Sequence, residues 1–343
     1  MEETKSNQGA IMAVTTKDIA RECGVSLTTV QRALHGNGRI SEKTKQAILT
    51  KAKELHYEPN LTARTLTLGR SRMLGVIIPF LDNVYYAEIC NSMTREAVRH
   101  GYILNILVHG DDKSLEAQML KLLENYNVDG IVMNPINKGE ELQRLLHVNG
   151  RQKFCLLALD EAEEAGVCGI GIDERAAGYE SAKNVLSFGY QKIYFVAPTY
   201  YDKDGRENPG HHSRYEGVKK ACAEANILPL CITGDDYPEQ IAEVMKKNTG
   251  GKPAFLCSGA PFAVKVIQRL FGSGMEPGRE YGMMTFDKVP EMASSSNIRL
   301  AYLDNNVDRI GKLAADTIIG LCEGQNVPER INIPFTIVNG NSL

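Results

Sequence analysis

The chain contains no run of about 18 apolar residues, which excludes a helix that spans a bilayer and leaves no membrane role to expect. Its first residues, MEETKSNQGAIMAV, lack the basic segment leading into a long apolar core that marks a secretory signal, so the protein is expected to stay in the cytoplasm. None of the eight cysteines forms a Cys-x-x-Cys pair. Most of them, Cys155, Cys231 and Cys257 included, lie in apolar runs and read as buried free thiols rather than metal ligands or disulfides. The catalytic signatures GxxxxGKS/T, GxGxxG after a strand, HExxH and GxSxG are all missing. The acidic pairs Asp111-Asp112 and Asp235-Asp236 fall in loops, where solvated charge is ordinary, and His211-His212 has no third ligand near it in sequence. No reactive constellation remains, so no enzyme, cofactor or metal is expected.

What is present is unevenly distributed. With 343 residues the chain can bury a sizeable core in two or three domains. Between residues 15 and 70 ten Lys and Arg stand against five Asp and Glu, a net of +5; residues 1–14 carry −1, so the whole-chain −3 leaves −7 for residues 71–343. A small basic head on a large acidic body is the asymmetry expected of a polyanion-binding module joined to a soluble one.

The head carries the most pointed pattern. In SLTTVQRALHG (26–36), Leu34 and Ala33 fall beside Val30 on a helical wheel, while Thr28, Gln31, Arg32 and His35 gather opposite. Ser26 can cap the first turn and Gly36 can end the helix. Alone, this favours an ordinary surface helix, because many surface helices look this way. Upstream, TTKDIARECGV predicts a shorter helix with Ile19 and Ala20 inward, and Ala20, Gly24 and Val30 then stand at i, i+4 and i+10. That spacing supplies a small residue at a close helix crossing, a glycine able to take positive φ at the turn, and a branched residue locking the second helix down. It is the helix-turn-helix pattern, whose second helix enters a major groove. A third helix, SEKTKQAILTKAKELHY, is capped by Ser41 and lays down Ile48, Ala52 and Leu55 as an apolar stripe.

After EPNLTARTLTLGRSR the texture changes. MLGVIIPF, ILNILVHG, DGIVMNPI, KFCLLALD, KIYFVAP, LPLCITG, AFLCSG, YGMMTF and RLAYLD read as buried strands alternating with amphipathic helices, the signature of parallel α/β units. The pattern nearly restarts at KIYFVAP, which predicts two similar α/β lobes with a ligand cleft at the carboxyl ends of their strands.

The run TTKDIARECGVSLTTVQRAL, continued through ISEKTKQAILTKAKELHYEPNLTARTL to LGVIIP, resembles the LacI family of bacterial transcriptional regulators. The likeness extends from about Thr15 to the C-terminus and is looser in the body, through DNVYYAEI, NVDGIVMNP, GIDERAAGYESAKNVLSFGYQKIYFV, SRYEGVKKA and MTFDKVP. Residues 1–14 read as a flexible leader, and the resemblance implies an all-α helix-turn-helix domain (15–58), a hinge (59–70) and a body (71–343) of two Rossmann-like lobes similar to ribose-type periplasmic binding proteins. It further implies that Leu27, Thr28 and Arg32 read bases in a double-stranded operator. Gln31 would touch a base or phosphate, and Lys17 and Ser26 would set register on phosphates. In the hinge, Leu66 would wedge into the minor groove, with Ala63 allowing close approach and Arg64 supporting it.

For the cleft, the resemblance implies Tyr85 and Tyr86 as rings against the ligand and Asn137, Asp160, Arg214, Asp287 and Asn305 as polar contacts, with Arg214 and Asp287 the strongest candidates. One departure stands out. After AFLC the family commonly carries an Asn-Asp pair, and here Gly259-Ala260 stands instead. The ligand could be larger, less hydroxylated at that edge or bound differently, with Tyr200, Tyr201, His211 and His212 as substitute contacts. The expected protein is a homodimeric repressor controlled by a carbohydrate-like effector. A regulator answering to a partner protein through a degenerate cleft, an α/β enzyme with a DNA-binding head, and a transport-type binding protein are the alternatives.

Overall fold

The computed structural model describes residues 14–35, 40–57, 70–148, 152–289 and 297–343. The chain divides into two compact units at Arg70/Ser71. The first holds α1 (Thr16–Cys23), α2 (Leu27–His35) and α3 (Glu42–Glu54). Each start is fixed by a short polar side chain. Asp18 reaches back to the Thr15 amide at 3.0 Å, and the hydroxyls of Ser26 and Ser41 accept the amides of Thr29 and Thr44 at 3.2 and 3.1 Å. Gly24 has φ +64°, the left-handed turn between α1 and α2 that a side chain would strain. Ile19, Val30 and Ile48, one from each helix, meet in a fully buried core closed by Ala20, Ala33 and Ala52. The hinge residues Ala63, Arg64 and Leu66 lie outside the described residues.

The second unit is two α/β lobes. The first begins β1 (Met73–Ile78), α4 (Val84–Arg99), β2 (Ile103–Val108), α5 (Lys113–Asn125), β3 (Gly130–Met133), α6 (Gly139–Val148), β4 (Lys153–Leu156), α7 (Leu159–Ala165) and β5 (Cys168–Gly171). The chain then crosses into the second lobe for α8 (Glu174–Ser187), β6 (Lys192–Val196), α9 (Pro209–Glu224), β7 (Leu230–Ile232), α10 (Tyr237–Lys247), β8 (Pro253–Cys257), α11 (Ala260–Phe271), β9 (Gly282–Thr285) and β10 (Ala301–Asp304). It returns for α12 (Val307–Glu323) and β11 (Arg330–Asn332), and crosses a third time into β12 (Thr336–Val338).

The sheets run β11-β5-β4-β3-β1-β2 and β12-β10-β9-β8-β6-β7, parallel apart from β12. The two orders coincide when β6 is laid on β1, so the sequence pattern that restarts at Lys192 is a structural repeat. Three strands, β5, β11 and β12, were not among the nine expected runs. Each has only three or four residues. Two of them are half-exposed sheet edges, which need no continuous apolar run.

Helices α8 and α9 touch backbone to backbone. A Cβ on Gly178 would lie 1.9 Å from the carbonyl oxygen of Arg214, and one on Gly217 would lie 2.0 Å from that of Arg175. No side-chain rotation relieves a clash with a carbonyl, so the helices must separate if either glycine gains a methyl. Gly178→Ala is therefore expected to cost roughly 2–3 kcal/mol, read as a lower urea midpoint at unchanged slope.

Candidate nucleic-acid interface and ligand cleft

Helix α2 buries Val30 and Ala33 and exposes Thr28, Gln31 and Arg32. Leu27 opens the first turn 37% exposed, an apolar side chain left among polar ones. Lys17 is exposed on α1. Ser26 also contacts the Thr29 hydroxyl at 2.8 Å, so its oxygen is held by the cap while its proton can be free for an acceptor. The head thus offers one continuous face of donors and acceptors whose backbone is locked by packing on the other side.

In the second unit the residues that follow the strands of both sheets line one cleft of about 1540 Å³, among them Pro79, Asn134 and Leu157 from the first lobe and Pro198, Ser258 and Asp287 from the second. This is where parallel sheets leave backbone and helix starts free to face a ligand. Tyr85 and Tyr86 begin α4, which Asn83 caps by accepting the Tyr85 amide at 3.1 Å. Their rings meet edge to face at 5.0 Å on the cleft wall. Burial pushes both phenols up, and each lies within the field of Asp287, Glu174 and Arg214 across the cleft.

Arg214 is held on three sides. Its Nε and Nη2 donate to Glu174 at 2.5 and 3.0 Å, and its Nη1 donates to the Ser258 carbonyl at 2.6 Å. The guanidinium also lies 4.9 Å from the centre of the Phe286 ring. Burial works against its charge, but Glu174 and Asp287 outweigh that cost and keep it protonated. Asp287 accepts from the Asn305 amide at 2.7 Å and from the Ala260 N–H that opens α11. Burial pushes its carboxyl up to about 6, with Arg214 opposing the shift. His211 faces the same space. Burial, assisted by Arg214, pulls it down to about 3, so its ring is neutral.

The seven expected cleft residues separate into three groups. Tyr85, Tyr86, Arg214 and Asp287 are brought together. Asp160 stands at the rim, exposed and paired with Arg330 at 3.4 Å. Asn137 and Asn305 are turned away from the cleft. Asn137 is 5% exposed, and its amide donates to the Lys113 carbonyl at 3.0 Å and to Glu116 at 2.8 Å. Glu116 is fully buried and needs those donors more than a ligand does. Asn305 lies behind Asp287, donating also to the Phe286 carbonyl at 2.8 Å, and acts as its positioner. Of the substitute contacts, His211 and Tyr201 line the cleft, whereas Tyr200 is buried against His212 at 3.0 Å. Glu174, Ser258, Tyr237 and Phe262 line the cleft without having been expected there.

A second contact joins the lobes at the cleft mouth. Lys113, in the first turn of α5, donates to Asp202 at 2.9 Å and to Asp204, both on the opposite lobe. The other oxygen of Asp202 accepts the amides of Asp204 and Arg206 at 2.8 and 2.9 Å, which fixes the carboxylate before the lysine arrives.

A three-helix head with one polar reading face, and a two-lobed body with a polar interlobe cleft, together define a ligand-responsive DNA-binding regulator. Residues 15–60 match the family model for bacterial regulatory proteins of the lacI family, and residues 71–340 match that for periplasmic binding proteins and the sugar binding domain of the LacI family. The chain belongs to the LacI family of transcriptional regulators. It is 31% identical over 285 residues to the HTH-type transcriptional regulator RegA of Clostridium saccharobutylicum, covering 80% of this chain and 83% of that one. It is 30% identical over 291 residues to catabolite control protein A of Priestia megaterium, covering 81% and 83%. Among solved structures, the lac repressor dimer bound to operator and the anti-inducer ONPF superposes with TM-score 0.81 at 19% identity, over 96% of this chain and 99% of that one. The complex of the regulator CelR with cellobiose gives 0.66 at 18%, with the same coverages.

Asp287 sets a pH dependence in two opposite senses. Hydroxyl donors need its carboxylate, so affinity for a polyhydroxylated ligand is expected to fall as pH drops through about 6. The raised folded value favours the ligand-free fold most fully below the ordinary 3.8, and that contribution is lost as pH rises through about 6. Asp287→Asn is therefore expected to stabilise the ligand-free protein at pH 7.5, by on the order of 1 kcal/mol given solvent access through the cleft, while abolishing ligand binding. Thermal unfolding and calorimetric titration measure the two effects separately.

Proposed function

We propose that the protein is a cytoplasmic homodimeric repressor that reads an operator through α2 and answers to an uncharged polyhydroxylated ligand, of carbohydrate type, bound between the lobes. The observation that carries this is the pairing of an outward polar face on a packed recognition helix with a cleft whose central groups, Arg214 and Asp287, are fixed donors and acceptors rather than free reactive groups. The same fixation supports a binding role over catalysis. Residues 15–58 act as the DNA-binding domain, 59–70 as the hinge and 71–343 as the effector and dimerisation domain.

Within the head, Arg32 clamps a guanine edge, Leu27 packs on a thymine methyl, and Thr28 and Gln31 complete the reading face. Lys17 and Ser26 hold phosphates. Leu66 wedges the minor groove, with Ala63 and Arg64 beside it. Dimerisation through the first lobe is supported by edge strand β2 and the end of α4, where Val98 is 65% and Ile103 is 54% exposed. Ligand acts by binding the closed and open arrangements of the lobes unequally.

The test is duplex binding across a salt series, with an operator selected from random sequence. Arg32→Ala is expected to weaken the selected site by about 10- to 100-fold and to leave nonspecific DNA nearly unaffected. Lys17→Ala weakens both alike and flattens the salt slope. Leu66→Ala follows the Arg32 pattern, and equal loss on both kinds of DNA would remove the wedge from the account. Binding that persists unchanged after deletion of residues 1–70 would sink the regulator reading as a whole.

A further inference from the structure

Among the described residues one group brings three metal-ligating side chains together: Glu96, His100 and Asp316, on the first lobe and away from the cleft. Glu96 stands in the last turn of α4 and His100 follows its final residue, four positions on, so both project from one side of the helix. Asp316 comes from α12, far along the chain, which is why no local spacing marks the group in the sequence.

The distances are those of ligands sharing an ion rather than of hydrogen bonds. His100 Nε2 lies 3.4 Å from Glu96 Oε1 and 3.5 Å from Asp316 Oδ1. An N–H···O bond runs about 2.7–3.2 Å. Zinc holds an imidazole nitrogen at about 2.0–2.1 Å and a carboxylate oxygen at about 2.0–2.2 Å, so two such ligands on a tetrahedral ion stand roughly 3.4 Å apart. The remaining edge is also within reach, since all three atoms lie within 4.8 Å of one another.

The group is held in place by its surroundings. Glu96 is only 8% exposed, and a carboxylate so far from water needs cationic partners. Arg99 supplies one, donating through Nη1 to Oε2 at 2.8 Å, and this aims Oε1 at the histidine as an outer partner aims a metal ligand. The helices that carry the two carboxylates are pressed together. A Cβ on Gly311 of α12 would lie 2.5 Å from the carbonyl oxygen of Ile89 on α4, and Ser92 Oγ donates to the Asp308 carbonyl at 2.7 Å.

We propose that Glu96, His100 and Asp316 form a binding site for a divalent cation of the zinc class, with Oε1, Nε2 and Oδ1 as three ligands and water in the fourth position. An imidazole between two carboxylates selects zinc, cobalt or nickel over magnesium and calcium, which take oxygen ligands throughout. The ion ties the end of α4 to α12. Arg72, at the start of this unit, reaches the His100 carbonyl at 3.5 Å, so the tie lies where the chain enters the first lobe.

The experiment is titration of the full chain, first stripped with EDTA, with ZnCl2 alone, read by calorimetry and by the unfolding midpoint, and repeated with CoCl2 to read its visible absorption. One equivalent of zinc is expected to bind here and to raise the midpoint, as a ligand specific to the folded state does, while MgCl2 leaves it unmoved. His100→Ala and Asp316→Asn, both at partly exposed side chains, should weaken that equivalent by more than the roughly 10- to 100-fold that loss of an outer partner costs. They should also remove the tetrahedral cobalt absorption, with the metal-free midpoint nearly unchanged. His212→Ala, which takes away the imidazole beside Glu207 and Glu216, should leave binding intact. Zinc binding that survives both substitutions, is lost with His212→Ala, is matched by magnesium or does not occur at all overturns the site.

Discussion

A guanidinium can stand in the wall of an apolar-backed cleft only if its charge is matched before any ligand arrives, and Glu174 does this for Arg214 with two parallel hydrogen bonds. The rest of the site is referred to that pair. Glu174 is placed by the first turn of α8, Arg214 by the second turn of α9, and the helices are brought together by glycines at their crossing. Arg214 in turn fixes the Ser258 carbonyl, and through it the start of α11, whose first amide meets Asp287. Asn305 completes the arrangement from behind. A ligand bound as proposed would meet donors and acceptors already aimed, which lowers the ordering cost of binding.

The head was almost wholly legible in the sequence because its rules are local. Ala20, Gly24 and Val30 are separated by fixed numbers of residues along two helices and a turn, and Ser26 and Ser41 act on amides three positions away. The lobes were legible as a repeat, through strand runs buried on both faces. The cleft was legible only in part. Arg214 and Asp287 stand in stretches that match the family. Glu174 stands in one too, yet it escaped notice because its role depends on an arginine 40 residues away. Asn137 shows the converse: a polar residue after a strand can face the ligand or turn back, and the buried carboxylate of Glu116 decides which. Tyr237 and Phe262 stand in the first turns of two helices, where no local motif marks a residue as facing a cleft.

Asp287 illustrates why such a site is held at some expense to the fold. A carboxylate half out of water, an arginine that must be neutralised and hydroxyls without partners are each less stable than apolar replacements would be. The compensation lies in the two lobes themselves, where Ile77, Val132 and Leu156 in one sheet and Phe195, Phe255 and Leu256 in the other are fully shielded from water. Stability is concentrated within the lobes, and the polar groups are concentrated between them.

The chain passes between the lobes three times, after β5, after β10 and between β11 and β12. Three side-by-side struts resist shear and stretching far more than they resist bending together. The relative motion left to the lobes is thus a rotation about the line of struts, and the Lys113 contact lies at the cleft mouth. Mechanically the body is a lever. On the proposed reading, a displacement of an ångström or so beside Arg214 would become a coordinated swing at the far rim, and a small molecule would thereby deliver direction as well as energy.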